Sequence, residues 1–478
     1  MRAILLALTG LSVLTFSLPA QVSKNAKLMG TWTKGSSYRY NDCWGYTAPN
    51  GKEYALVGLR TGFSVVDITD PSKPVERGYF SGYTSTWRDV KTFGHYAYVV
   101  TEASGQGMWI IDLLDADKPK LVATWGQTAY RNCHNIAMDM ERGHAWLVGT
   151  DKGALILDVK TNPTSPKLIT TYTSPYLHDV SIQHGLAHGA DIYGNNYEIL
   201  DVSNLPTIKK LASVRTSGKQ YCHNTWPTWD DNYCATTNES ANGPIAIWDI
   251  SNKAAPKQIS VYRAGPSTAI PHNVVIIDRL LHASHYTEGY RLVDISDPTK
   301  PIEVGYYDTW TGTSGGYNGD WGVYTGYPSG NIIANDISTG LYIVKPTATT
   351  TQYGTGTAGT GGKTPETHSF GASWIGNTNF RLDLRNGLPN SAGILLLGPK
   401  PASTNLSGLM INVSLTAPGL FLLSQPTDAK GEASQPLPVP SDAKLVGATI
   451  HTQWVVLDKN GKLGFSSSRG MSMELFSK

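Results

Sequence analysis

At 478 residues the chain is long enough for about two to four domains with well-buried cores. Charged residues make up 16%, and Gly 49, Tyr 25 and Trp 13 are generous for this length, a composition that excludes a disordered chain, a coiled coil and a collagen. Lys+Arg 39 against Asp+Glu 37 leaves a formal charge of +2, too balanced for the basic stripe that nucleic-acid binding draws on, so no nucleic-acid partner is expected.

Residues 1–20 (MRAILLALTGLSVLTFSLPA) carry one cation at Arg2, an apolar stretch from Ala3 to Phe16, and then Pro19 and the small Ala20. This is the layout of a secretory signal peptide, with cleavage expected after Ala20. The stretch is broken by Thr9, Gly10 and Ser12 and is too short for a membrane anchor. No later window is long and apolar enough to span a bilayer. The expectation is a secreted or cell-surface protein, exported through the Sec pathway and monomeric. In such a chain Cys43, Cys133, Cys222 and Cys234 allow two disulfides in any of three connectivities. None forms a C-x-x-C, so a zinc knuckle or a thioredoxin-like motif has no support.

A repeat follows. The segment GFSVVDITDPSKP (62–74) recurs as GMWIIDLLDADKP, GALILDVKTNPTSP, NYEILDVSNLP, GPIAIWDISNKAAP and GYRLVDISDPTKP. Its aspartates fall at Asp67, Asp112, Asp158, Asp201, Asp249 and Asp294, in steps of 45, 46, 43, 48 and 45 residues, and a seventh copy (GLYIVKP) puts Lys345 in the aspartate slot. A fixed period of this size signals a solenoid or a propeller. Each period reads as four short strands separated by turn residues, for example HNIAMD, HAWLVG, ALILDV and PKLITTY in the third copy. The second and third strands are apolar at consecutive positions, as strands covered on both faces must be, and radial four-stranded blades supply that environment. The turn aspartates are assigned to folding, since Asp, Asn and Ser satisfy backbone amides in tight turns.

Seven first strands can be counted, near Asp42, Asp89, His134, His178, His223, His272 and Asp320, but the seventh copy has no fourth strand after Pro346. Just after the signal peptide, AKLMGTW (26–32) matches the fourth strand PKLVATW (119–125). The N-terminus is therefore expected to complete the last blade. The fold class is all-β: a seven-bladed β-propeller over residues 21–346, closed by N-terminal strand exchange and followed by a C-terminal β-sandwich.

The V/I-V/I-D-I-S-D-P-x-K-P core, together with NDCWGYTAPNGKEYALVG (41–58), resembles the LVIVD-repeat proteins and specifically the secreted "choice-of-anchor B" proteins. The resemblance covers roughly residues 26–346. It implies a bacterial or archaeal surface or secreted β-propeller; it supplies a fold and an address, not a reaction.

Residues 347–367 (TATTTQYGTGTAGTGGKTPET) are Thr/Gly-rich and read as a flexible linker. Gly362, Lys363 and Thr364 look like the end of a phosphate-binding loop, but no flanking strand and helix support that reading. From His368 the alternation of strands returns, in FRLDLRN, GILLLG, LMINVSL, GLFLLSQ and ATIHTQWVVLD, and residues 368–478 read as a β-sandwich. The stretch TDAKGEASQPLPVPSDAKLVGATIHTQWVVLD resembles a C-terminal module appended to exported proteins of some Gram-negative bacteria.

In a propeller the first strand of each blade lines the central channel and the second runs back, so the start of one and the end of the other share a rim. The first strands begin with Arg88-Asp89, His134-Asn135, His178-Asp179, His223-Asn224, His272-Asn273 and Asp320, which form the expected ligand-binding rim. Second strands finish at Glu102, Asp151, Asp191, Glu239, His285 and Asp336. Imidazoles beside carboxylates are the ingredients of a Zn, Mn or Fe site, and oxygen-rich groups hold Ca. The candidate metal ligands are thus His134, His178, His223, His272, His285, Glu102, Asp151, Asp191, Glu239 and Asp336, and a divalent cation (Ca, Zn or Mn) is the candidate cofactor. Against this stands a structural role, in which a polar residue repeated at one slot of each blade hydrogen-bonds the neighbouring loop. Trp44, Trp87, Tyr130, Tyr221 and Trp321 are candidates for an aromatic surface that takes glycans or peptides.

GTSGG (312–316) matches G-x-S-x-G literally but lies in a Gly-rich loop, and no nucleophile and base can be paired, so no catalytic residue is assigned. The leading reading is a non-catalytic binding or display protein whose polar funnel takes a small polar ligand, a glycan, a cation or a surface protein. The alternatives are an extracellular metal-dependent hydrolase or lyase using funnel histidines and carboxylates, and cell-surface adhesion through the C-terminal sandwich.

Overall fold

The computed structural model describes residues 23–35 and 37–478, and the signal-peptide reading of residues 1–20 lies outside the described residues. The described chain is all-β apart from two single-turn 3-10 helices, and no helix in it is long and apolar enough to cross a membrane. Each repeat folds into its own antiparallel sheet with strands in sequence order. The third repeat, for example, gives Asn135–Asp139, His144–Thr150, Gly153–Asp158 and Lys167–Tyr172. The consecutive apolar residues of the middle strands are buried on both faces, whereas the fourth strand is partly exposed.

The burial comes from the neighbouring sheets. Tyr98, Val100 and Ile110 of one sheet pack with Ile136, Leu147 and Leu157 of the next. Each fully buried aliphatic side chain contributes roughly 1.5–3 kcal/mol, so the stacking of sheets is what stabilises the repeat. The first strands, Tyr40–Thr47, Arg88–Phe93, Asn135–Asp139, Asp179–Gln183, Cys222–Pro227, Val274–Ile277 and Asp320–Tyr324, contact one another in that order, and the last contacts the first. This is a β-propeller fold.

Strand Ala26–Trp32 lies on the outside of Gly340–Pro346, with Leu28 opposite Val344 and Trp32 opposite Leu341. Gly30 seats this strand against the turn of the first sheet, where a Cβ would stand 1.9 Å from the Pro71 carbonyl oxygen. Separated from this strand by Asn25, Ser23–Lys24 forms a fifth strand on the edge of Ile302–Tyr307.

The repeated aspartates cap the turns that follow their strands. Oδ1 of Asp67 accepts from the Thr69 amide at 3.0 Å, and Asp112, Asp158, Asp201, Asp249 and Asp294 do the same two residues on, at 2.8–3.0 Å. Lys345, in the aspartate slot of the seventh copy, instead donates to the Ser329 carbonyl and to Thr351 Oγ1.

One expectation needs correction, and the state of the cysteines, left open by the sequence, is shown. The Thr/Gly-rich segment 347–367 is not a free tether: Thr351–Tyr353 pairs with Gly470–Glu474, the Thr357 amide and carbonyl bond Ser467, and Thr360 donates twice to Asp458. The hydroxyls of Thr349, Thr351, Thr357, Thr360 and Thr367 are spent on hydrogen bonds, which composition does not reveal. The four cysteines are buried free thiols rather than disulfides, and Sγ of Cys133 lies on the carbonyls of Asn135 and Val148. Together with this segment the rest of the chain forms one large sheet (Thr351–Tyr353, Gly470–Glu474, Thr449–Lys462, Ala392–Gly398, Phe421–Pro426), with Phe465–Ser467 added on Thr449–Lys462. Beside it stand a three-stranded sheet (Glu366–Phe370, Arg381–Arg385, Ala433–Pro436) and the hairpin Pro401–Leu406 with Leu409–Val413. Leu382, Leu384, Leu395, Trp454 and Met471 fill the space between the two larger sheets.

Candidate functional site

The first strands enter the channel with the same two positions, so their side chains form two tiers. The upper tier contains His134, His178, His223 and His272, whose rings follow one another with centroids 4.0, 4.3 and 4.3 Å apart and planes inclined by 44–50°, and Trp321 continues the row 4.9 Å from His272. The lower tier contains Asp42, Asp89, Asn135, Asp179, Asn224 and Asn273. Strand alternation places Gly322 at the seventh position, where a Cβ would meet Asp42 Oδ1 at 2.3 Å. A cavity of about 20 Å³, the size of one water or ion, lies between the tiers and touches all four imidazoles together with Asp42, Asp89, Asn135 and Asn273.

Part of the upper tier is structural. Nδ1 of His178 bonds the His223 carbonyl at 3.2 Å, and Nδ1 of His272 bonds the Trp321 carbonyl at 2.5 Å. Each such bond ties one sheet to the next, fixes the N–H on Nδ1 and leaves Nε2 as the free lone pair. Burial, reinforced by the neighbouring imidazoles, holds His178 well below the usual histidine range and pushes His223 and His272 down to about 3, so these rings are neutral at physiological pH. His134 differs, with Nδ1 2.5 Å from Glu102 Oε1.

The lower tier carries three carboxylates and one ammonium. Asp89 accepts from Lys91 at 2.9 and 3.0 Å and from the Ile136 amide of the next sheet; Asp179 accepts from Asn224 Nδ2 at 2.6 Å; and Asp42 accepts from Asn273 Nδ2 at 3.2 Å. Burial, with Asp89 adding to it, raises Asp42 to about 8, and burial raises Asp179 to about 6. Burial opposes the charge on Lys91, yet Asp89 and Asp42 hold it above its usual range.

Above the histidines the channel opens into a funnel of about 820 Å³, lined by Trp87, Tyr176, Tyr193, Tyr221, Tyr286, Tyr317 and Trp321 and by the polar groups of Arg39, Arg60, Glu102 and Glu239. Trp87, Tyr193, Tyr221 and Tyr317 are all exposed there. Below the aspartates a second pocket of about 260 Å³ is walled by Trp44, Trp226 and Trp229, with Lys91 Nζ 4.6 Å from the Trp44 ring centre.

Several residues predicted for the rim lie elsewhere. Arg88 borders the axial cavity, but it is 1% exposed and spends its guanidinium on the carbonyls of Leu59 and Tyr83 and on the Trp109 face, so it clamps two sheets. Asp320 is fully buried and lines neither the funnel nor the axial cavity. The channel positions of this strand are held by Trp321, which lines both the funnel and the axial cavity, and by Gly322, which lies against Asp42. Asp151 caps the Arg131 amide, Asp191 accepts from Gly194 and Asn196, and Asp336 accepts from Thr309, Ser338 and Thr339, all as loop braces. His285 is buried and lines neither chamber nor the axial cavity. Among the described residues, the one group of three imidazole, thiol or carboxylate side chains with ligand atoms all within 4.8 Å of one another is His223, Glu239 and His272.

Of the proposed aromatic surface, Trp87, Tyr221 and Trp321 line the funnel, Trp44 lines the opposite pocket, and Tyr130 is buried against Trp125. Asp42 and Lys91 were not predicted, although Asp42 shares its strand position with Asp89 and Asp179. The loop residues Tyr176, Tyr193, Tyr286 and Tyr317 carry no local signal, since they reach the funnel only through the ring.

The LVIVD repeat model matches residues 52–81, 143–174 and 287–309. No curated protein matches the chain by sequence. Solved structures with a similar fold include the beta-propeller domain of Cps50 (Swd1) from Myceliophteria thermophila, at 9% identity and a TM-score of 0.49, covering 67% of this chain and 98% of that one. U3-55K, at 7% identity and a TM-score of 0.49, covers the same shares. The chain carries LVIVD repeats on a β-propeller fold.

Proposed function

We propose that this is an exported, seven-bladed propeller whose ring is closed by exchange of strand 26–32 into the last blade, with a C-terminal sandwich, and that it binds a small polar ligand of the sugar type in its funnel. The carrying observation is the funnel itself: exposed Trp87, Tyr193, Tyr221 and Tyr317 gathered around the acceptors Glu102 and Glu239. Aromatic faces stack on the apolar faces of a sugar ring, and buried-edge carboxylates accept its hydroxyls. Exposed aromatic patches on a monomer mark contact sites. Export is supported by the layout of residues 1–20, closure by the pairing of 26–32 with 340–346, and the sandwich by the two sheets packed through Leu384, Leu395 and Trp454.

The test is binding of the full chain to an immobilised panel of neutral and acidic oligosaccharides. Trp87→Ala and Tyr193→Ala are expected to weaken the best binder about tenfold each, the size of one lost stacking contact. Binding that survives both substitutions, or no binding across the panel, overturns the reading.

A further inference from the structure

The four adjacent imidazoles are not equivalent. His134 is committed to Glu102 through Nδ1 at 2.5 Å, whereas Glu239 converges with two histidines at once. His223 comes from the start of the fifth repeat's sheet, Glu239 directly follows the second strand of that sheet, and His272 opens the next. We propose that His223, Glu239 and His272 hold one first-row divalent transition metal at the floor of the funnel.

Three observations carry this. The ligand atoms of the three side chains lie within 4.8 Å of one another, a spacing that small side-chain rotations convert to bonds of about 2.0–2.2 Å to a common centre. Two of the three groups, Glu239 and His272, have the outer partner that a ligating group needs. Tyr286 Oη donates to Glu239 Oε1 at 2.6 Å, leaving Oε2 facing His223 Nε2 at 3.7 Å, and the Trp321 carbonyl holds His272 Nδ1 so that Nε2 is the free donor. Finally, Glu239 lines the funnel, so the remaining coordination positions open toward an entering ligand. Two imidazole nitrogens and one carboxylate form a borderline donor set that suits Zn²⁺, Fe²⁺ or Mn²⁺ and disfavours Ca²⁺, which takes six to eight oxygens.

The site stands apart from the sugar reading, because metal binding is measured without any sugar and sugar binding is measured on chelator-stripped protein. Full chain freed of metal is titrated calorimetrically with Zn²⁺, Mn²⁺ and, anaerobically, Fe²⁺, and its metal content is read by elemental analysis. One equivalent per chain is expected for at least one of these ions. His223→Ala, His272→Ala and Glu239→Gln are expected to weaken it at least 100-fold, and Tyr286→Phe by about 10–100-fold. His134→Ala keeps the full equivalent. Cobalt-loaded unaltered chain gives a second readout that needs no variant to fold: visible ligand-field bands of nitrogen and oxygen coordination are expected. Absence of those bands, a stoichiometry near zero, or affinity untouched by all three ligand substitutions overturns the proposal.

Discussion

The indole N–H of Trp374 donates to Asp294 Oδ2 at 2.8 Å, joining the C-terminal part of the chain to one of the repeated turn aspartates. Asp294 is 2% exposed and accepts as well from the amides of Ser296 and Ala372 and from Asn377 Nδ2. Its counterpart Asp249 serves only its own turn, through Ser251. Asp294→Ala leaves the Ala372 amide and the Trp374 indole N–H unpaired, at about 1–3 kcal/mol for each donor left unsatisfied, while Asn377 Nδ2 keeps the Ala372 carbonyl. Asp249→Ala costs about 1 kcal/mol. Urea unfolding of the two variants separates them, and equal losses would mean that Asp294 contributes nothing to docking.

A second link between the same parts titrates. His368 Nδ1 lies 2.9 Å from Asp278 Oδ1 and its Nε2 lies 3.2 Å from Glu366, with the Arg385 guanidinium 3.6 Å from Asp278. Burial works against the imidazolium, but Asp278 and Glu366 outweigh it and raise His368 to about 9. A raised folded pKa stabilises fully below the unfolded value of 6.5 and is lost as pH rises through about 9. Asp278, held low by His368 and Arg385 despite burial, sets the acid limit below 3.8. The shift amounts to at most about 3 kcal/mol. Unfolding free energy should therefore fall between pH 6.5 and pH 9.5 in the native chain, and that fall should shrink in His368→Gln. A native profile flat over this range would remove the link.

The lower channel tier has the opposite sign. Asp42 faces Asp89, Asp179 and the single ammonium of Lys91, and its pKa is raised to about 8, first by burial and then by Asp89. A raised acid binds its proton more tightly folded than unfolded, so it erodes stability as pH climbs from 3.8 toward 8. Asp42→Asn removes that penalty while keeping an acceptor for the Cys43 amide. The new NH2 replaces the oxygen that accepts from Asn273 Nδ2, and a half-turn of the Asn273 side-chain amide presents to it Oδ1, which is otherwise buried and unpartnered. The variant is expected to be more stable than the native chain by at least about 1 kcal/mol at pH 8 and no more stable at pH 4. Greater stability at pH 4 than at pH 8 would refute the assignment.

Why some of this could be read in advance is a matter of period. The adjacency of His134, His178, His223 and His272 was legible because each stands at one position of a strand that recurs every 45 or so residues, and the turn aspartates were legible for the same reason. Asp320 was misplaced because it stands one residue before the channel position, which Trp321 occupies in the seventh copy, and a one-residue offset moves a strand side chain to the other face. The triad was only latent in ten candidates: choosing His223, Glu239 and His272 required knowing that Tyr286, from the following sheet, holds Glu239. The second role of Asp294 was hidden because its partners lie about 80 residues downstream.

The seat of strand 26–32 offers the most direct test of ring closure. Gly30 packs against backbone rather than a movable side chain, so Gly30→Val drives a β-branched group into the Pro71 carbonyl and must displace either the strand or the turn. Overpacking of this kind costs about 1–3 kcal/mol, while Lys27→Val, on an exposed position of the same strand, is expected to change stability by less than about 0.5 kcal/mol. Removing residues 26–33 altogether uncovers the hydrogen-bonding edge of Gly340–Pro346 and the apolar side chains packed beneath it, which favours edge-to-edge association. Light scattering during size-exclusion chromatography should show multimers or aggregate for the deletion and monomer for Lys27→Val. A monomeric deletion variant with an unchanged melting temperature would mean that the N-terminal strand does not close the ring.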